Sequence, residues 1–140
     1  MIIRSACLSD VATLTSLDTC VVTDLTRVQQ IQNWVENKHC YLAEENGEVL
    51  GYGVLNYHFF GCGFIEMIMV GKQFRHQGIG NMLLNALKNH CQHPKLFTST
   101  NQSNLLMQQL LLKSGFIPSG QINNLDENDP ELIFYINKIL

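Results

Sequence analysis

Apolar residues recur along the chain at two spacings, every second position in some stretches and every third or fourth in others, the periods of strand and helix. Ile2, Ile3 and Arg4 open a short strand. Ser9 and Asp10 then offer an N-cap before Val11, Leu14 and Leu17 at helical spacing. A second helix is predicted over 26–37, with Val28, Ile31 and Val35 on one face and the lone Trp34 beside it. Strands follow over 39–44 and 48–58, joined by Glu45-Asn46-Gly47. Asn-Gly signals a hairpin because both residues accept positive φ. Gly61-Cys62-Gly63 breaks the chain before another strand over 64–70.

Beyond Val70 the pattern changes. Residues 71–77 are polar and basic, then Gly78-Ile79-Gly80 opens a helix that runs to His90 and buries Ile79, Leu83, Leu84 and Leu87 as one stripe. Pro94 stops it, and a strand is predicted over 95–100. Residues 104–114 read as a helix closed by Gly115, a glycine suited to the left-handed cap. Two strands end the chain, over 116–122 and 131–138, around a polar loop at 123–130. The order β-α-α-β-β-β-α-β-α-β-β places antiparallel hairpins first and one strand-helix-strand crossover later, which is an α/β fold with a mixed sheet.

At 140 residues the chain is expected to be a single domain over 1–140. With 46% apolar and only 15% charged residues, disorder is excluded as a description of the whole. A net charge of −3 argues against a nucleic-acid partner, which needs many phosphate-neutralising Lys and Arg. No apolar stretch reaches the roughly 18 residues of a membrane span, and no leader is evident, so a cytoplasmic protein without a membrane partner is expected. Cys7, Cys20, Cys40, Cys62 and Cys91 include no CxxC pair and read as reduced thiols, most of them small core residues. His90-Cys91-Gln92-His93 is the one cluster with ligand-like residues. It reads as a helix terminus whose histidines cap carbonyls, and no metal is expected.

The chemistry starts at Arg75-His76-Gln77-Gly78-Ile79-Gly80. A Gly-x-Gly at a helix start brings bare backbone close to a ligand, and first-turn N–H groups have no intrahelical partner. Those donors and the helix dipole suit a diphosphate, and Lys72, Arg75 and His76 add charge. The competing reading is a turn that merely lets a strand enter a helix. A dinucleotide fingerprint is excluded because Leu83 stands where its third glycine belongs. A P-loop is excluded because Asn81-Met82 follow Gly80 in place of Lys and Ser or Thr.

On these residues the sequence resembles the GNAT superfamily of acetyl-CoA-dependent N-acetyltransferases. The family signature, Arg/Gln-x-x-Gly-x-Gly/Ala after a strand ending in Val, matches Arg75, Gly78 and Gly80 beyond Val70. A second block, an Asn followed by a helix ending in Lys-x-Gly-Phe, matches Asn104 and Lys113-Ser114-Gly115-Phe116. The opening Ile-Ile-Arg-x-Ala followed by Asp10 is similar to the family's first strand and helix. The resemblance implies a GNAT-like fold and acetyl-CoA as co-substrate. It assigns the diphosphate to the N–H groups of Gln77, Gly78, Ile79, Gly80 and Asn81, with Arg75 and His76 nearby, and the pantetheine arm to Met69 and Val70. It gives Asn104 a bond to the pantetheine or acetyl end; as an N-cap, Asn104 has an equally good local role. It also implies pairing of terminal strands into a homodimer, for which Phe134, Ile136 and Leu140 are apolar enough, though they suit a core equally well.

Acetyl transfer to an amine needs the amine neutral, and a lysine-like amine with a pKa of about 10.4 is mostly protonated at neutral pH. A general base is therefore useful, and Glu66 is the candidate. It shares a strand face with Ile68 and Val70 and is flanked by Ile65 and Met67, apolar neighbours expected to raise its pKa. The alternative is a Glu66 that faces solvent or pairs with a cation. The backbone N–H of Val70 is the candidate donor to the oxyanion. Many relatives carry a tyrosine four residues before the glycine of Gly-Phe, where this chain has Leu111. The proton for the leaving thiolate then falls to Tyr57, Tyr135 or water. The carboxylates of 123–131 read either as an acidic rim favouring a cationic amine or as a solvated turn. The sequence thus supports acetyl transfer to a primary amine, with a catalytically weak acyl-CoA-binding sensor or interaction module as the alternative.

Overall fold

Asn46 and Gly47 take φ of 52° and 80°, so the expected two-residue turn forms between β2 (Cys40–Glu45) and β3 (Glu48–Phe59). The structure, a computed structural model, describes residues 1–138. Among these residues, seven strands of mixed direction and four helices occur in the expected order. The chain divides into two compact units, one made of Met1–Leu55 and Met67–His90, the other of Asn56–Glu66 and the residues from Cys91 onward.

The first unit holds β1 (Ile2–Ser5), β2, most of β3 and the end of β4 (Cys62–Val70), in the order β1-β2-β3-β4. The pairs β1/β2 and β2/β3 are antiparallel. One core joins α1 (Val11–Leu17) and α2 (Thr26–Glu36) to the strands through Leu14, Ile31, Trp34, Val35, Leu42, Tyr52, Val54 and Met69. A second core sets Ile79 and Leu83 of α3 (Ile79–His90) against Ala43 and Leu50. Leu84 and Leu87 are buried with them, so the predicted stripe is complete. A bulge lies after Ala43, where Glu44 pairs with Val49. Nearby, a Cβ on Gly51 would lie 2.6 Å from the carbonyl oxygen of Met69 and 3.3 Å from Leu83. That glycine lets the end of β4 and α3 sit close to β3.

The start of the first unit departs from expectation. Asp10 does not cap α1. Leu8–Asp10 forms a 3-10 turn, and the Asp10 carboxylate reaches back to the N–H of Cys7 at 2.9 Å and to both terminal nitrogens of Arg4 at 2.9 and 3.0 Å. Arg4 also donates Nε–H to Glu44 at 3.1 Å. A guanidinium within reach outcompetes local capping because its bonds to a carboxylate are charge-assisted and paired.

The second unit continues β3 and β4 and adds β5 (Lys95–Asn101), β6 (Ile117–Ile122) and β7 (Glu131–Asn137), in the order β3-β4-β5-β7-β6. β4 and β5 run parallel, with Gly63 opposite Leu96 and Ile65 opposite Thr98. β5/β7 and β6/β7 are antiparallel. Leu96, Ile133 and Phe134 are buried, as are Leu111 of α4 (Leu105–Lys113) and Phe116 after it. Gly115 takes φ 93°, and the N–H of Phe116 returns to Leu111 O at 3.0 Å, the expected helix stop. Phe97 lies 5.1 Å from Phe59 and 5.0 Å from Tyr135 between ring centroids, a half-buried aromatic row.

Three expectations are corrected here. The break after β3 falls at Phe60 and Gly61, with φ of 54° and 74°, while Cys62 and Gly63 already belong to β4. Gly63 is small because Cys91 Sγ lies 2.5 Å from where its Cβ would stand. All five cysteines are free, yet only Cys40 and Cys91 are buried, with Cys20 and Cys62 intermediate and Cys7 exposed. Burial pushes the Cys40 thiol up to about 12. The histidine after α3, His93, bonds the backbone of Lys95, with Nδ1 3.0 Å from its N–H, so it caps no helix carbonyl; the His90 ring meets Tyr41 at 4.7 Å. No helix among the described residues is long and apolar enough to cross a membrane. Of the residues considered for pairing, Phe134 is buried, Ile136 is half-buried and Leu140 lies outside the described residues, while β6 is exposed at every position.

Candidate active site

In the first unit the candidate cradle is built by a change of backbone hand. β4 ends at Val70, and Gly71 N–H bonds Leu50 O at 2.9 Å. Lys72–Phe74 makes one 3-10 turn and Arg75 is extended. His76 and Gly78 then adopt left-handed φ of 66° and 81°, after which α3 begins. The earliest helical bond comes from Met82 N–H to Gly78 O at 3.1 Å, so the N–H groups of Ile79, Gly80 and Asn81 have no acceptor within the helix. Ile79 is buried and anchors the first turn, whereas Lys72, Arg75, His76, Gln77, Gly78 and Asn81 are exposed. Unpaired amides at the positive end of a helix dipole, beside exposed cations, fit a diphosphate. A Cβ on Gly78 would meet nothing within 4 Å, so glycine stands there for its backbone and not for lack of room.

Next to the cradle, Arg75 donates Nε–H to Val70 O at 3.2 Å and Nη2–H to Thr19 Oγ1 at 3.3 Å. The Thr19 hydroxyl donates in turn to Met69 Sδ at 3.7 Å. Met69 is buried and Val70 half-buried. The structure therefore brings Met69, Val70 and the 75–81 segment together within one unit, and it adds Thr19. No sequence signal singled out Thr19.

In the second unit, Glu66 is exposed and its Oε1 accepts from Asn56 Nδ2 at 2.8 Å. The expectation that Ile65 and Met67 would surround it with apolar groups fails, because strand neighbours point to opposite faces. Asn56 is buried, and its Oδ1 accepts the N–H of His58 at 3.1 Å, which fixes the amide that holds Glu66. A polar amide inside the apolar run of β3 was the available signal for it. Asn104 serves as the N-cap of α4, accepting from Met107 N–H at 3.1 Å, which leaves its amide NH2 as the donor for any ligand. Leu111 is buried. Tyr57 Oη accepts Gln92 N–H at 3.0 Å and keeps its own proton to donate, while the Tyr135 ring packs on Phe97. Tyr52, in the first unit, cannot serve as an acid. It is buried, and both burial and Asp18 push its phenol pKa up.

The 123–131 segment is a bonded turn. Asp126 accepts from Asn101 Nδ2 at 2.9 Å, and Asp129 accepts from Ser103 N–H and hydroxyl at 3.0 and 2.6 Å. Glu131 accepts the Ser99 hydroxyl at 2.7 Å. Asn124 and Asn128 supply left-handed φ of 74° and 58°. Among the described residues, no group of three or more His, Cys, Asp and Glu could hold a metal ion.

Comparison with known proteins agrees with this geometry. A family model described as Acetyltransferase (GNAT) family matches residues 10–116. Among solved structures, a GNAT-family acetyltransferase from Bacillus cereus is 33% identical, with a TM-score of 0.90 over 98% of this chain and 96% of that one. A ribosomal-protein-alanine N-acetyltransferase from Brucella melitensis shares the fold at 20% identity, TM-score 0.84, over 98% and 99% of the two chains. A candidate acetyltransferase from Salmonella typhimurium, solved with its cofactor acetyl-CoA, does so at 18% identity, TM-score 0.81, over 99% and 94%. No curated protein matches the chain.

Proposed function

Because the chain belongs to the GNAT acetyltransferase family, we propose that it binds acetyl-CoA at the start of α3 and transfers the acetyl group to a primary amine by direct attack. The observation that carries this is the pair of left-handed residues, His76 and Gly78, which opens the amides of Ile79, Gly80 and Asn81 to an anion. Gln77 to Asn81 hold the diphosphate with Arg75 and His76 beside them. Met69 and Val70 pair with the pantetheine arm, and the Asn104 amide supplies a further donor. The co-substrate supplies an acyl group activated as a thioester. Residues 1–140 act as one GNAT-like domain in this reading, and the free thiols suit a reducing, cytoplasmic compartment.

An amine of pKa about 10.4 is neutral in roughly one molecule in a thousand at neutral pH, a deficit of about 4 kcal/mol. Glu66, oriented by Asn56, takes the amine proton through water. The neutral nitrogen attacks the carbonyl carbon, and Val70 N–H stabilises the oxygen as charge gathers on it. The C–S bond breaks as the C–N bond is completed, and the nitrogen releases its second proton to water. The departing thiolate, of pKa about 8.5, takes its proton from water, Tyr57 or Tyr135. Asp126 and Asp129 accept from neutral donors, an arrangement that favours a small cationic acceptor or a lysyl or N-terminal amine on a protein. Two copies can pair along the exposed β6.

The buried Leu111 favours a second reading, a sensor that binds acyl-CoA and turns over weakly. Calorimetry with CoA, followed by assay of free thiol release across a panel of amines, separates the two. Binding with amine-dependent release is expected. Binding without release for every amine supports the sensor, and absence of CoA affinity overturns both.

A further inference from the structure

The connection between α1 and α2 is anchored by a charge that the reaction above does not use. Asp18 has a fully buried side chain. Its Oδ2 accepts from Tyr52 Oη at 2.5 Å and from Arg27 Nη1 at 3.0 Å, and its Oδ1 accepts Cys20 N–H at 2.7 Å. The Arg27 guanidinium lies 5.8 Å from the Trp34 ring centroid, and its Nη1 is 3.8 Å from Met67 Sδ. A buried carboxylate with three donors holds its segment firmly, since any movement strands a charge in the core. The residue between Asp18 and Cys20 is thereby fixed, and that residue is Thr19.

Thr19 faces the cradle. Its single proton goes to Met69 Sδ, and its lone pairs accept Arg75 Nη2–H. Arg75 is exposed, and an exposed arginine samples many rotamers. Here its planar fork is pinned at two corners, by Val70 O and by Thr19 Oγ1. Arginine carries five N–H donors, so the remaining ones stay available to an anion. We propose that Thr19, held in place by the cluster of Asp18, Arg27 and Tyr52, is a positioning residue that pre-orients the Arg75 guanidinium for the diphosphate of the co-substrate. The proposal rests on the cradle described above and adds the device that orders its cation. Pre-ordering removes rotamer loss from the binding step, so its signature is affinity for CoA.

The test uses the full chain with Thr19→Val, Thr19→Ser, Arg75→Gln and the double variant Thr19→Val/Arg75→Gln. Valine matches threonine in shape and lacks the hydroxyl, and serine restores it. By calorimetry with CoA, Thr19→Val is expected to bind about three- to tenfold more weakly, the cost of one hydrogen bond to a charged group at an exposed site. Thr19→Ser should stay within about twofold of the parent, and the double variant should be no weaker than Arg75→Gln alone. Wild-type affinity in Thr19→Val overturns the proposal, as does a double variant whose loss is the product of the two single losses. In the ligand-free protein, the Arg75 Nε–H resonance should shift in Thr19→Val and return in Thr19→Ser, with an unchanged melting temperature. A resonance that does not move shows that Thr19 does not hold the guanidinium and overturns the proposal even if affinity falls. A parent protein without CoA affinity overturns the cradle itself, and the resonance then decides by itself whether the clamp exists.

Discussion

The two units differ in what holds their best-bonded carboxylates. In the first, Asp10 and Glu44 meet Arg4, and Asp18 meets Arg27 and Tyr52, so these three carboxylates are matched by guanidinium within bonding distance, while Asp24 and Glu36 accept from Thr26 and Gln32. In the second, Asp126, Asp129 and Glu131 accept from Asn101, Ser103 and Ser99, donors that leave the negative charge in place. The sequence of the second unit supplies Glu66, Asp126, Glu127, Asp129 and Glu131 against Lys95, Lys113 and Lys138. In the proposed reading, acids held by guanidinium do not compete with the cations beside α3 for an anion, and the acids of the second unit draw a cationic acceptor. The same side-chain type thus serves rigidity in one region and, in the proposed reading, attraction in the other.

The largest test of this contrast removes one acid from each side. Asp18→Ala strands Arg27 and Tyr52 in the core and is expected to cost about 3–5 kcal/mol in urea unfolding. Asp129→Ala frees only two bonds at an exposed turn and should cost about 1–2 kcal/mol. Equal losses would break the contrast.

Gly78→Val isolates the cradle. The backbone strain at φ 81° is about 1–2 kcal/mol, and the straightened turn should weaken CoA binding by about tenfold, read by calorimetry. Unaltered affinity would show that the amides do not depend on the left-handed turn.

Acid titration comes next. Hydrogen bonds from Arg4 hold the Asp10 carboxyl well below the usual carboxylate range. Its folded pKa is depressed, so the stability it contributes is complete above an unfolded value of about 3.9 and is lost as pH falls below that toward the folded value. Arg4→Met should flatten this part of the stability profile between about pH 4 and pH 2, measured by thermal melts. A profile as steep as the parent's would take Asp10 out of the account.

The smallest expected change is in acceptor preference. Replacing Asp126 and Glu127 by Asn and Gln should raise the KM for cationic amines about two- to fivefold while sparing neutral ones, an effect that fades with added salt. No change across acceptors would leave the loop a turn and nothing more.

Local signals were legible wherever a residue's own backbone or its immediate neighbours decide the outcome. Asn46-Gly47 adopts the turn its φ preferences demand, Ile79, Leu83, Leu84 and Leu87 bury the stripe their spacing defines, and Gly115 ends α4 in the left-handed region. Gly78 stands where a strand-to-helix turn needs positive φ, which made the cradle readable together with its family. Misplacements arose where a distant group competes. Asp10 left its cap for Arg4, Gly63 joined β4 opposite Leu96 of β5, and Glu66 faces outward beside Asn56.

By itself, then, the sequence determined the order of strands and helices, the hairpin turn and the amide-rich start of α3, because propensity and periodicity act over a few residues. Only the tertiary structure decided that Asp18, Arg27 and Tyr52 meet, that Thr19 lies against Arg75, and that Asn56 orients Glu66. Those bonds join residues on different elements, nine to 56 positions apart, and which donor reaches which acceptor is set by packing, strand register and the need to satisfy buried polar groups.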